Sequence, residues 1–141
     1  MALLVLNLAF IWGNSLLPGE VSAAFSDWVK EVLAALFPGD SLNRKGSDLL
    51  RKIAHFSEFC TLGMCLCWLT SMRKRKPLSA FWAGFLAACA DETIQLFVPG
   101  RGPSVRDVLI DSGGVLTGIT LLCFGHFLFN RKNNQQSLED M

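Results

Sequence analysis

The chain has 141 residues, room for one domain, and is 51% hydrophobic with only 18% charged residues, a balance that suits lipid as the solvent for much of its surface and predicts an integral membrane protein. Its net charge of +1 offers no field for nucleic acid, and the one dense basic run, Arg73-Lys74-Arg75-Lys76, is too short to hold one, so nucleic acid is excluded as a partner.

In chain order, the first apolar segment covers residues 2–17 and carries Asn7 and Asn14. "VSAA" at Val21 to Ala24 resembles the small-residue cleavage site of a signal peptide, but no Lys or Arg precedes the apolar run, so a retained first span is expected. Over residues 23–37, Phe25, Trp28, Val29, Val32, Leu33 and Leu36 recur at helical spacing, with Ser26, Asp27, Lys30 and Glu31 opposite them. This predicts a short amphipathic helix, lying at the membrane interface or packed over the other helices. Pro38-Gly39-Asp40 is expected to end it, and Leu42 to Asp48 to form a polar linker. Three further apolar segments, 53–72, 78–98 and 108–129, reach the roughly 20 residues that a helix needs to cross about 30 Å of hydrocarbon. A polar tail fills 131–141. Cys60, Cys65, Cys67, Cys89 and Cys123 all lie inside apolar runs, which reads as small packing residues. The expected fold is therefore all-α: a single domain, 1–141, built as an integral membrane bundle of four transmembrane helices with an amphipathic interfacial helix between the first two.

Four spans in the cell membrane put both termini on the side of the Arg73 to Lys76 loop and Arg131-Lys132. Concentrated basic charge in a very short loop assigns that side to the cytoplasm, although dispersed bases are slightly more numerous opposite. On that opposite side, His55 and Glu58 fall roughly 3 and 8 Å into the second span, Asp91 and Gln95 roughly 10 and 5 Å from the end of the third, and Asp111 about 5 Å into the fourth. Each set is also confined to one helix face: Arg51, His55 and Glu58 follow i, i+4, i+7, while Asp91 with Gln95 and Asp107 with Asp111 follow i, i+4. Charged groups at that depth are costly unless they face one another or a wet cavity. A plainer reading makes Arg51, Lys52, Arg101 and Arg106 interfacial anchors, Asp107 a helix cap, and Asp91 or Glu92 a structural ion pair. Capping and anchoring do not account for His55, Glu58, Asp91 and Glu92 below the interface on two helices. Gly113, Gly114 and Gly118 include a Gly-xxx-Gly pair suited to close helix approach.

"RKIAHFSEF" (Arg51 to Phe59), "DETIQLFVPGRGPSVRD" (Asp91 to Asp107) and "DSGGVLTG" (Asp111 to Gly118), in that order after "NSLLPGE", resemble the VanZ-like membrane proteins of bacteria, over most of the chain from Asn14 to Gly118. The resemblance implies a small multi-span envelope protein, and the namesake is associated with low-level resistance to the glycopeptide teicoplanin. Carried over position by position, it picks out Lys52, His55, Glu58, Asp91, Glu92, Gln95, Pro99, Arg101, Asp107 and Gly114; Asp111 stands where the resemblance leads one to expect Asn.

The chemistry of these residues leaves binding and catalysis both open. His55, Glu58, Asp91, Glu92, Asp107 and Asp111 are the candidate acid and base groups; Arg51, Lys52, Gln95, Arg101 and Arg106 are the candidate ligand contacts, with Arg101 and Arg106 offering forks for phosphate. A divalent cation held by His55, Glu58, Asp91 and Asp111 is also consistent with the donors, although no metal motif of recognised spacing is present. Expected partners are membrane lipids and, at the site, a phosphate-bearing lipid, a cell-wall precursor or a glycopeptide antibiotic. An enzyme acting on an envelope lipid is the alternative, and an oligomeric transporter ranks last because the inner half has few polar residues. Asp91 and Glu92, about 100° apart on their helix, are expected to face different neighbours, with Arg101 folded back from the "PGRG" turn to neutralise them.

Overall fold

The computed structural model describes the backbone of residues 1–36 and 44–139, and side chains of residues 1–32 and 49–131. Five helices account for it: α1 (Ala2–Ser15), α2 (Gly19–Leu36), α3 (Arg44–Met72), α4 (Pro77–Gln95) and α5 (Val105–Glu139). No strand occurs among the described residues.

Two of the helical stretches, Leu49–Met72 and Val105–Arg131, are long and apolar enough to cross a membrane. A third candidate arises if α1 and α2, bent by 104° at their junction, count as one broken span. Alone, α1 has 14 residues, a length of about 21 Å against about 30 Å of hydrocarbon. The expected third span, α4, does not qualify by hydropathy, since Asp91, Glu92 and Gln95 fall in its last turns.

The boundaries differ from the sequence reading in informative ways. α2 begins at Gly19, ahead of the expected 23, because Pro18 breaks the chain after α1 and the amphipathic pattern can start at once. The expected stop at Pro38 to Asp40 lies outside the described residues. Of the expected polar linker, residues 44–48 already belong to α3: helix formation here tolerates the polar sequence as the first turns of a longer helix. In the same way the backbone of 131–139 continues α5 into the segment expected as a tail.

α1, α3, α4 and α5 alternate in direction. Met1 and Ala2 lie by Trp68 and Leu69 at one end, Cys67 Sγ is 3.7 Å from Cys123 Sγ, and the residues around Ser15, His55, Asp91 and Asp111 meet at the other. The α3–α4 turn is closed by Arg75 N–H on Thr70 O (2.8 Å) and Lys74 N–H on Ser71 O (3.0 Å), with Lys74 at φ 52°. That is the paired-bond helix ending in which the left-handed residue satisfies orphan carbonyls. Pro77 then opens α4 in its first turn.

Small residues hold the bundle together. A Cβ on Gly63 would strike the Val115 carbonyl, on Gly114 the Phe56 carbonyl, and on Gly118 the Cys60 carbonyl, so the α3 and α5 backbones touch along this seam. Where lipid surrounds a bundle, such close packing replaces the hydrophobic drive between helices. Phe59, Leu62, Ala80, Ala88, Val115 and Ile119 fill the core, while Phe10, Trp82, Leu86, Phe124 and Phe127 stay exposed around it. An apolar girdle of that kind on a small protein calls for lipid or a partner.

Candidate functional site

At one end of the bundle the polar residues converge. Asp91 is wholly buried, and its Oδ2 accepts bonds from Ser15 Oγ (2.8 Å) at the end of α1 and from Gln95 Nε2 (3.1 Å) one turn along α4. His55 Nδ1, from α3, is 3.9 Å from the same oxygen. Asp111, from α5, is 1% exposed. One donor atom each of His55, Asp91 and Asp111 lies within 4.8 Å of the others. Among the described residues, both Asp111 oxygens, Asp91 Oδ1 and Glu58 Oε2 have no hydrogen-bond partner.

Glu92 faces elsewhere, as its neighbouring position on a 100° helix requires. Its Oε2 accepts the Ser104 backbone N–H at 2.8 Å, while Ser104 Oγ accepts the Arg106 N–H at 3.2 Å. The start of α5 is thus capped by its own serine and by a carboxylate from α4. Glu58 Oε1 accepts from Asn14 Nδ2 at 3.2 Å, tying α3 to α1.

Arg101 departs from expectation. Among the described residues no carboxylate lies within ion-pair distance of it. Its Nε donates to Leu17 O (3.2 Å) and its Nη2 to Asn14 O (3.0 Å), which also accepts the Leu17 N–H (3.2 Å), so it bonds carbonyls at the C-terminus of α1, where a cation is also favoured by the helix dipole. The two Pro-Gly turns dock on each other beside it: Gly19 N–H donates to Pro99 O at 3.1 Å, and Gly100 adopts φ 74° against Gly19. Burial and the nearby Arg51 lower the Arg101 pKa, while Asp91, Glu92 and Glu58 raise it in opposition, so those carboxylates act on the guanidinium through space.

Two cavities meet here. A polar one of about 40 Å³ is lined by Arg51, Lys52, His55, Glu92, Gln95, Arg101, Asp107 and Asp111. An apolar one of about 510 Å³ lies under α2, with Phe10, Leu17, Phe25, Val29 and Ile53 in its wall. Arg51 and His55 line both, and Asn14 and Glu58 line the apolar one. Of the residues singled out in the sequence, Arg106 has an exposed side chain outside both linings, and Asp91 sits buried behind the polar cavity. Asn14, Ser15 and Ser104 are the participants that the sequence reading did not assign to the site. The signal for the first two is a polar pair ending an apolar helix just before Pro18-Gly19.

A bundle of long apolar helices with buried carboxylates, a histidine and bases gathered at one end is the architecture of a small helical membrane protein. The chain belongs to the VanZ/LLP1 family, whose model matches residues 1–129. No curated protein and no solved structure matches it significantly.

Proposed function

We propose that this protein spans the cell membrane four times, with both termini in the cytoplasm, and uses its polar end near the outer face to bind a phosphate-bearing lipid or lipid-linked cell-wall precursor. The observation that carries this reading is the shared wall of the two cavities. The apolar cavity, about 510 Å³, falls in the range of roughly 300–1,000 Å³ usual for ligand sites, whereas the polar one, about 40 Å³, admits only a small group. An amphiphile with a long apolar chain and a compact anionic head fits that pair. Arg51, Lys52 and Arg101 supply positive charge around the head, and Arg forks suit phosphate. For the four crossings, α4 contributes exposed Leu78, Trp82 and Leu86, an outer face made for lipid.

The test uses the purified full chain in detergent, challenged with a long-chain polyprenyl phosphate or the matching polyprenol and read by native mass spectrometry. Selective retention of the phosphate form is expected, with loss in Arg51→Gln/Lys52→Gln. Equal retention of the two lipids, or retention untouched by neutralising both bases, overturns the reading. A protein that holds such a precursor would also alter what teicoplanin meets at the cell surface, so deleting it should lower the tolerated drug concentration. A second reading, chemistry on the lipid headgroup, draws on His55 and Asp111 lining the floor of the polar cavity; it is distinguished by release of an altered headgroup on incubation.

A further inference from the structure

We infer that His55, Asp91 and Asp111 form a binding site for one divalent transition ion of the Mn²⁺ or Zn²⁺ type. Their donor atoms, brought from α3, α4 and α5, lie within 4.8 Å of one another. Ligands about 2.1 Å from a shared ion must come within about 4.2 Å of each other, so small side-chain rotations close the site.

Clusters of acids are common without an ion, and what distinguishes this one is its unpaired oxygens. Asp111 is 1% exposed and neither of its oxygens has a partner among the described residues. An ionised carboxylate so placed is far too costly unless something neutralises it. Asp91 carries the second sign. Ser15 and Gln95 both donate to its Oδ2, while Oδ1 is left without a partner. Outer donors that lock one carboxylate oxygen and present the other are how proteins orient metal ligands.

His55 completes the set. Its Nδ1 is 3.9 Å from Asp91 Oδ2, too far to hydrogen-bond well, and a ring nitrogen lies within 4.8 Å of a carboxylate oxygen of each aspartate. Glu58 is outside the set, since the group whose donor atoms all lie within 4.8 Å of one another is His55, Asp91 and Asp111. One imidazole and two carboxylates balance a divalent charge and suit Mn²⁺ or Zn²⁺, whereas Ca²⁺ wants six to eight oxygens. His55 and Asp111 also line the polar cavity, whose volume of about 40 Å³ exceeds the roughly 10–15 Å³ needed for one water. The ion's open position therefore faces room for a water or a phosphate oxygen. The inference deepens the lipid reading and rests on it only for that phosphate.

The experiment uses metal alone. Purified full-length protein in detergent, stripped with chelator and dialysed, is titrated with Mn²⁺ followed by electron paramagnetic resonance, with Zn²⁺ as competitor. Equimolar Mn²⁺ displaced by Zn²⁺ is expected. Ser15→Ala should weaken binding by roughly 10- to 100-fold, and Asp111→Asn and His55→Gln by more, while Arg73→Gln, in the α3–α4 turn at the other end of the bundle, binds as the unaltered protein does. Circular dichroism and gel filtration report whether each variant keeps its fold. A folded, monodisperse chain that takes up no Mn²⁺ or Zn²⁺ at millimolar metal overturns the site, as does undiminished binding by Asp111→Asn. Polyprenyl phosphate retained in chelator by a chain that binds no metal would leave the lipid reading standing while this one falls.

Discussion

Ser15 Oγ donates a 2.8 Å hydrogen bond to Asp91 Oδ2, joining the end of α1 to the last turns of α4 through two side chains that are both fully buried. Because α1 is short and ends at Ser15, this bond is one of the few polar ties that fix where it stops against the bundle.

Ser15→Ala removes a donor from a buried acceptor and should destabilise the protein by about 1–3 kcal/mol, read as a lowered unfolding temperature in detergent. Ser15→Thr keeps the hydroxyl and should recover much of the loss. An alanine variant as stable as the parent would mean that the tie contributes nothing.

Glu92 should behave as a cap for α5. Glu92→Gln keeps an oxygen that can accept the Ser104 N–H and should cost little, whereas Glu92→Ala orphans that N–H and should cost about 1 kcal/mol. Amide hydrogen exchange at Ser104 to Asp107 reports it directly: faster exchange is expected in Glu92→Ala alone. Equal exchange in both variants would remove the capping role.

The contrast between these residues and His55, Asp91 and Asp111 explains what a sequence can convey. The i, i+4 spacing of Asp91 with Gln95 fixes a helix face locally, and alternating connections set the depth of all three site helices, so their meeting could be expected before any coordinates. Which way Glu92 turns also follows from the 100° step, but its partner does not: Ser104 lies twelve residues on, across a turn whose path the sequence does not determine. For the same reason Arg101 lines the polar cavity with Glu92 and Asp111 but makes no direct ion pair with a carboxylate among the described residues. Charge complementarity pointed to the carboxylates, but the docking of the Pro18-Gly19 turn on Pro99-Gly100 brings the carbonyls of Asn14 and Leu17 nearer, and they hold the guanidinium. The number of crossings is equally hard to read, because α4 owes its marginal hydropathy to the site residues themselves.

The glycine seam gives an internal comparison within α5. Gly118→Ala sets a methyl against the Cys60 carbonyl, which can yield only if α3 moves, and should destabilise by about 1–3 kcal/mol. Gly125 has nothing within 4 Å of its would-be Cβ, so Gly125→Ala should be neutral or gain up to about 1 kcal/mol from helix propensity. Thermal unfolding of the two variants side by side measures the difference, and equal effects would mean that the α3–α5 approach is not as close as described.

Arg101 separates support from binding. Its two bonds to Asn14 O and Leu17 O pin the turn before α5 to the end of α1, and a charged donor to backbone carbonyls is worth about 1–3 kcal/mol, less where solvent reaches it. Arg101→Ala should therefore loosen both segments, seen as faster amide exchange at Gly19 and Gly100, where the Gly19 N–H on Pro99 O loses its neighbour. Lysine keeps the charge but presents a point donor in place of a fork, so Arg101→Lys should keep attraction for phosphate while satisfying the two carbonyls less well. If the residue only supports the fold, lipid retention will follow stability across Ala and Lys. If it also meets the phosphate, Arg101→Lys will retain polyprenyl phosphate better than its exchange rates suggest, and Arg101→Ala will lose it even at temperatures where the variant is fully folded. Retention by folded Arg101→Ala equal to that of the parent would confine Arg101 to the structural role.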